Sequence, residues 1–195
     1  MTTTTAVRTL SGPSVLPPQV RIARSHAKAM PCRDCLQPIT NYSMKPRGGL
    51  WTSTYSEDDL CEWYQWCLSD GEGEWVRDNL LWVLFPRRSN IVTIDHYDDL
   101  LRLARVYGQQ EPLASNWTRC LLDFEAMVRD GIDAIHLTEH GEHGTRYGPG
   151  FSLDKWNLYG WDCESTLWLR WRFQRIEYLG RCSIKDWQHG QHDSD

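Results

Sequence analysis

Residues 164–171 alternate with a period of two. Ser165, Leu167, Leu169 and Trp171 fall on one side, and Glu164, Thr166, Trp168 and Arg170 on the other. That is strand periodicity, and the Trp and Leu content predicts a buried strand. Tyr159-Gly160 just before it is a turn signal. Other stretches read as strands for the same reasons: residues 20–26, where Val20 and Ile22 share a face and so do Arg24 and His26; residues 50–55, Leu-Trp-Thr-Ser-Thr-Tyr, rich in β-branched and aromatic side chains; residues 80–85 and 90–95 around the turn Pro86-Arg87-Arg88-Ser89; residues 132–138; and residues 173–179.

Helical periodicity occurs between them. Leu60, Trp63, Tyr64 and Cys67 recur at i, i+3, i+4 and i+7, with Ser56 placed as an N-cap, Asp59 where a capping-box acid belongs, and a stop near Asp70-Gly71. Leu100, Leu101, Leu103, Ala104 and Tyr107 form a second apolar face. A third helix is predicted over 122–129, with Gly131 as its C′ residue. Residues 108–117 read as loop. So does the segment 139–151, whose glycines disfavour a helix. Ser152 is a candidate cap for a helical turn reaching Lys155 and Trp156. The expected organisation is a leader over 1–18, rich in Thr, Ser and Pro, one domain over 19–187 and a polar tail over 188–195. The class is α+β, with a split mixed or antiparallel β-sheet core flanked by short helices. Neither a dinucleotide-binding glycine fingerprint nor a Walker loop is present.

Composition narrows the function. The chain has 195 residues, enough for one domain with a real core. A net charge of -5 argues against holding nucleic acid by bulk electrostatics. Eleven tryptophans supply flat surfaces for a core or for a groove that stacks rings. The apolar runs fall short of the ~18 residues of a membrane span, and the N-terminus carries no apolar signal core, so no membrane partner and a cytoplasmic location are expected. Seven scattered cysteines, an odd number, then read as reduced thiols.

Three clusters carry possible chemistry. Cys32-x-x-Cys35 has metal-ligand spacing, but no second pair completes a four-ligand zinc site, with only His26 and Cys61 or Cys67 as further donors. Two free loop thiols are expected there. His136, His140 and His143 suggest a metal, a weak reading if the segment is a loop, so the metal expectation is none. The third cluster is composite: a hydroxyl run, Thr52-Ser53-Thr54, running from a strand toward a helix start, and the acidic pair Asp162 and Glu164, two residues apart at the entrance of a buried strand.

The order of these pieces resembles the ADP-ribosyltransferase superfamily. There, a first strand carries an Arg or His, a second carries a hydroxyl motif and runs into a helix, and a later strand begins with a catalytic Glu. The first motif is matched by Arg24 or His26, the second by Gly48-Gly49-Leu50-Trp51-Thr52-Ser53-Thr54, and the third by Asp162-Cys163-Glu164-Ser165. Residues 90–103 and 123–137 are similar to the family's intermediate segments, so the resemblance spans about 19–180. The chain departs from the pattern in having Ser25 after Arg24, where Gly is usual, and Asp162, where Glu or Gln is usual.

The resemblance implies mono-ADP-ribosyl transfer, with NAD as a consumed substrate and a macromolecular acceptor, protein or nucleic acid. Glu164 would stabilise the oxocarbenium-like ribose, Asp162 would orient or deprotonate the acceptor, and Ser53 would hold the Glu or the nicotinamide ribose. Arg24, with Ser25 and His26 beside it, would meet the NAD phosphates. Trp51, Tyr55 or Tyr159 would stack the nicotinamide, with Thr52 and Thr54 lining the same strand. The competing classes are an NAD glycohydrolase, a Trp-rich binding or inhibitor module without chemistry, and a metal-dependent hydrolase built on the histidines.

Overall fold

The computed structural model describes residues 10–24, 30–69, 76–112, 118–146 and 155–182. Ser25, His26, the Asp70-Gly71 stop, Ser152 and the tail over 188–195 lie outside them. The molecule is α+β, a mixed and strongly curled sheet with a few short helices. The strands are β1 (Gly12–Ser14), β2 (Gln19–Ala23), β3 (Leu50–Thr54), β4 (Leu80–Pro86), β5 (Ser89–Ile94), β6 (Gly108–Pro112), β7 (Thr118–Leu122), β8 (Ala134–Leu137), β9 (Ser165–Trp168) and β10 (Phe173–Arg181). The helices are α1 (Glu62–Ser69), α2 (Tyr97–Tyr107), α3 (Phe124–Arg129) and α4 (Glu139–Thr145).

Eight strands join in the order β1-β5-β8-β9-β3-β2-β4-β10. The β5–β8 pair is parallel and the others antiparallel. The strand that joins the two halves is β3. Its first three residues pair with β9 (Leu50↔Trp168, Trp51↔Leu167, Thr52↔Thr166), and its last two pair with β2 (Ser53↔Val20, Thr54↔Gln19). The two halves therefore meet inside one strand and form a single continuous sheet.

Packing follows the apolar faces. On α2, Leu100, Leu103, Ala104 and Tyr107 are buried against Phe124 and Met127 of α3 and Ile135 and Leu137 of β8. Each fully buried Leu or Phe contributes roughly 1.5–3 kcal/mol, which fixes these short helices on the sheet despite their marginal intrinsic stability. A second cluster joins Cys67 and Tyr64 of α1 to Val20 and Ile22 of β2 and Val83 of β4.

Several local expectations are corrected. Leu60 has φ 65°, outside helical space, and Ser56 bridges to Leu60 around a tight turn. The helix therefore begins at Glu62, and the Ser56 hydroxyl accepts the Asp59 N–H within that turn, at 3.3 Å, instead of capping a helix. Residues 108–112 form a strand, since Gly108 ends α2 with extended backbone and starts a five-pair ladder with β7. That ladder claims Leu122, so α3 starts after Asp123, whose carboxylate accepts the Ala126 N–H. Within the expected leader, Gly12–Ser14 pairs with Ile91–Ser89 at the sheet edge. Cys32 and Cys35 are not free thiols. They form a disulfide across a single 3-10 turn, with Cα atoms 5.2 Å apart, so the reading of all seven cysteines as reduced fails for this pair.

The glycine-rich segment after β8 is also a helix, α4. Thr138 caps it by accepting the Gly141 N–H at 2.9 Å. A side chain at Gly141 would meet the Ile94 carbonyl oxygen at 2.1 Å. The glycine is there for close approach to the end of β5, and tertiary packing overrides its poor helix propensity.

Candidate active site

Backbone pairing between β3 and β9 stops at Thr52. Beyond that point a side chain takes over. The Glu164 carboxylate accepts the Ser53 hydroxyl (Oε2, 2.6 Å), the Thr54 hydroxyl (Oε1, 2.9 Å) and the Thr54 N–H (Oε2, 2.9 Å). Glu164 is 7% exposed. Three donors in a buried setting fix the carboxylate in place. Ser53 Oγ also accepts the Trp63 N–H at 3.4 Å, which links the site to α1.

His136 of β8 completes the surroundings of Glu164. Its Nδ1 lies 2.9 Å from Thr166 Oγ1 and 3.5 Å from Glu164 Oε1. Burial pushes this imidazole below its ordinary 6.5, against the opposing pull of Glu164 and Asp95. His136 is therefore neutral at pH 7, and the donors on Glu164 are uncharged.

On the other side of β3, β2 diverges after Val20. The Arg21 guanidinium enters that gap and donates to the Trp51 carbonyl at 3.2 Å. Burial lowers its proton affinity below that of an ordinary arginine. Gln19, fully buried, braces the hydroxyl run: its amide donates to Thr54 Oγ1 at 3.2 Å, and its oxygen accepts the Thr52 hydroxyl at 2.8 Å. Trp168 Nε1 donates to the same Thr52 oxygen at 2.9 Å.

A cleft of about 290 Å³ opens beside these strands. Arg21, Lys45, Trp51, Trp63, Trp161 and Asp162 give it its chemistry, and Thr52, Ser53, Cys163 and Ser165 also line it. Trp51 and Trp161 meet edge to face at 4.6 Å, and the Lys45 ammonium lies 5.3 Å from the Trp51 ring centre. Asp162 faces two cations, Lys45 Nζ at 3.4 Å and Arg146 at 3.8 Å. Burial pushes the Cys61 thiol up to about 12 and the Cys163 thiol up as well, so neither is a thiolate nucleophile at neutral pH.

Of the residues singled out from sequence, Ser53, Thr54 and Glu164 meet directly, and Trp51, Thr52 and Asp162 line the adjoining cleft. Glu164 is not itself among the lining residues; its neighbours Cys163 and Ser165 are. Asp162 and Glu164 take different partners rather than acting on one. Arg24 is exposed and lies outside the lining, as does Tyr159. Tyr55 packs against the α1 core. Ser25 and His26 fall outside the described residues. The three histidines also part company: His136 faces Glu164, His143 Nδ1 lies 2.9 Å from the Glu139 carbonyl, and His140 stands beside Asp95. Sequence reasoning missed Arg21, Gln19, Lys45 and Trp161. The one available signal was the polar positions 19 and 21 interleaved with Val20 and Ile22.

No family model, curated protein or solved structure matches this chain. No helix among the described residues is long and apolar enough to cross a membrane.

Proposed function

We propose that this protein is an ADP-ribosyltransferase that cleaves NAD and passes ADP-ribose to a macromolecular acceptor, protein or nucleic acid. The observation that carries the reading is the 2.6 Å bond between Ser53 and Glu164. It joins a hydroxyl motif on one strand to a carboxylate at the start of its neighbour, beside a tryptophan-lined cleft that contains an arginine. In this reading the bond between ribose C1′ and the nicotinamide nitrogen breaks, and its electron pair leaves with nicotinamide. Positive charge develops on the ribose, and the Glu164 carboxylate stabilises it more than it stabilises the neutral sugar. The acceptor then attacks C1′ and gives up its proton, with Asp162 as the base. Trp51 and Trp161 suit the flat nicotinamide, and Arg21 and Lys45, rather than Arg24, suit the diphosphate. The cleft sits at the lower end of ~300–1,000 Å³ for ligand pockets, so it suits one end of the dinucleotide.

One observation favours a second reading, a binding module without chemistry. Glu164 is buried behind the cleft lining with three donors already in place, as a purely structural tie between β9 and β3 would be. Nicotinamide release from NAD, with and without a cell lysate as acceptor, separates the two. The expected result is turnover by wild type and a loss of about 10²–10³ in Glu164→Gln, with the circular dichroism spectrum preserved. Wild-type-like release by Glu164→Gln removes the catalytic assignment. No turnover by wild type, even with lysate, moves the conclusion to the binding module.

A further inference from the structure

We propose that Asp95, His96 and His140 form a binding site for a divalent transition-metal ion of the zinc class, at the end of the parallel β5–β8 pair. The three side chains come from two separate segments. Asp95 and His96 connect β5 to α2, and His140 lies in the first turn of α4. One ligand atom from each lies within 4.8 Å of the other two.

Two of the three separations approach those of a coordination shell. His96 Nδ1 is 3.2 Å and His140 Nδ1 3.7 Å from the same oxygen, Asp95 Oδ2. Bonds of about 2.0–2.2 Å to a tetrahedral ion place neighbouring ligand atoms about 3.3–3.6 Å apart. The two distances bracket that edge, and 3.7 Å exceeds a normal N–H···O hydrogen bond. Two imidazole nitrogens and one carboxylate oxygen converge on a common point, where a single cation would accept a lone pair from each. Two nitrogens and one carboxylate suit zinc and its transition-metal neighbours, whereas magnesium and calcium prefer more oxygens.

The frame holding the ligands is built in. The Thr138 hydroxyl donates to Asp95 Oδ1 at 2.6 Å and leaves Oδ2 directed at the histidines. Asp99 accepts the Asp95 and His96 backbone N–H groups at 3.0 and 2.9 Å. The Thr138 N–H donates to the Ile94 carbonyl at 3.1 Å, and the close seat of Gly141 on Ile94 brings the first turn of α4 against the end of β5. Outer partners of this kind orient metal ligands. The His96 and His140 side chains are 64% and 67% exposed, so the ion would keep open positions for water or a partner's ligand.

The site is independent of the proposed NAD chemistry, and its test uses no NAD. The full chain, stripped with a chelator and kept without reductant so that the Cys32–Cys35 disulfide stays closed, is titrated with zinc ion by calorimetry. The expected result is a saturable site whose affinity falls at least tenfold in His96→Ala and in His140→Ala and which disappears in the double variant. His143→Ala keeps it. Cobalt ion in place of zinc should give visible absorption that is lost in the same double variant. Both histidines are mostly exposed, and an unchanged near-ultraviolet circular dichroism spectrum checks the fold. Absence of saturable zinc uptake by wild type overturns the proposal, as does wild-type affinity in the double variant.

Discussion

Asp162 and Glu164 are two residues apart and sit in opposite electrostatic regions. Asp162 is on the wall of the cleft, 23% exposed, between Lys45 and Arg146. Glu164 is buried, and it is held by two hydroxyls and an amide, with the His136 imidazole 3.5 Å away. The first carboxylate is paired with positive charge that solvent also screens. The second rests on uncharged donors in a buried setting, where a positive centre brought close would interact with a carboxylate strongly. The difference teaches that one short segment can present a counter-ion and a preorganised charge at once, each set by its neighbours rather than by residue type.

Truncation breaks the comparison most directly. Glu164→Ala would leave the Ser53 and Thr54 hydroxyls and the Thr54 N–H without their acceptor in a buried setting. The expected destabilisation is about 2–4 kcal/mol, read from urea denaturation. A loss under about 1 kcal/mol would show that water replaces the carboxylate and that these bonds do not hold the sheet together.

Arg21, within β2, and Arg24, just beyond its end, sharpen the contrast between cleft and surface. A charge-assisted bond from Arg21 to a diphosphate oxygen is worth about 1.5–3 kcal/mol, so Arg21→Met should weaken NAD binding about 10- to 100-fold. Arg24→Ala should cost much less, because that side chain is exposed beyond the cleft. Quenching of Trp51, Trp63 and Trp161 fluorescence by NAD measures both. A larger loss in Arg24→Ala reverses the assignment.

How much of this was legible depended on the range of the signal. The alternation over 164–171 and the hydroxyl run at 52–54 are local; the first gave a shorter strand, Ser165–Trp168, with Glu164 just before it, and Glu164 meets the hydroxyls of the second. Arg21 was not legible, because a polar residue at an alternate strand position reads as solvent-facing until the register Val20↔Ser53 shows that β2 leaves β3 just there. Lys45 and Trp161 reach the cleft through contacts more than a hundred residues apart in sequence, such as Trp161 Nε1 to the Met44 carbonyl. The β6 strand, Gly-Gln-Gln-Glu-Pro, has no apolar pattern and exists through its ladder with β7. Helix α4 was hidden by its glycines, and for Gly141 the reason lies in the Ile94 backbone across the fold.

Charge removal at Asp162 should act on function more than on stability. Asp162→Asn loses a partly exposed ion pair, worth about 0–1 kcal/mol, so its denaturation midpoint should move little. If Asp162 serves the acceptor, nicotinamide release to water persists while label transfer to lysate protein or nucleic acid falls. Equal loss of both activities would place Asp162 with Glu164 in the bond-breaking step instead.

The smallest effect tests the neutral imidazole beside Glu164. His136 has a proton affinity lowered by burial, so the unfolded chain binds its proton more readily than the folded one. The stability linked to His136 is therefore fully present above its ordinary 6.5 and is lost as pH falls from there through its lower folded value. His143 has the opposite sign. The Glu139 carbonyl and then Glu142 raise its proton affinity, so its contribution is present below 6.5 and fades as pH rises through the folded value. His136→Asn, which retains a polar group toward Thr166, should flatten the fall in stability between about pH 6.5 and pH 5. His143→Ala should leave that fall in place and, if anything, steepen it. Urea midpoints across this range, compared for the two variants and wild type, give the result. An unchanged slope in His136→Asn would mean that folding does not shift the proton affinity of the imidazole beside Glu164, and a steeper fall would mean that it is already protonated in the native state, with the carboxylate as one half of a buried ion pair.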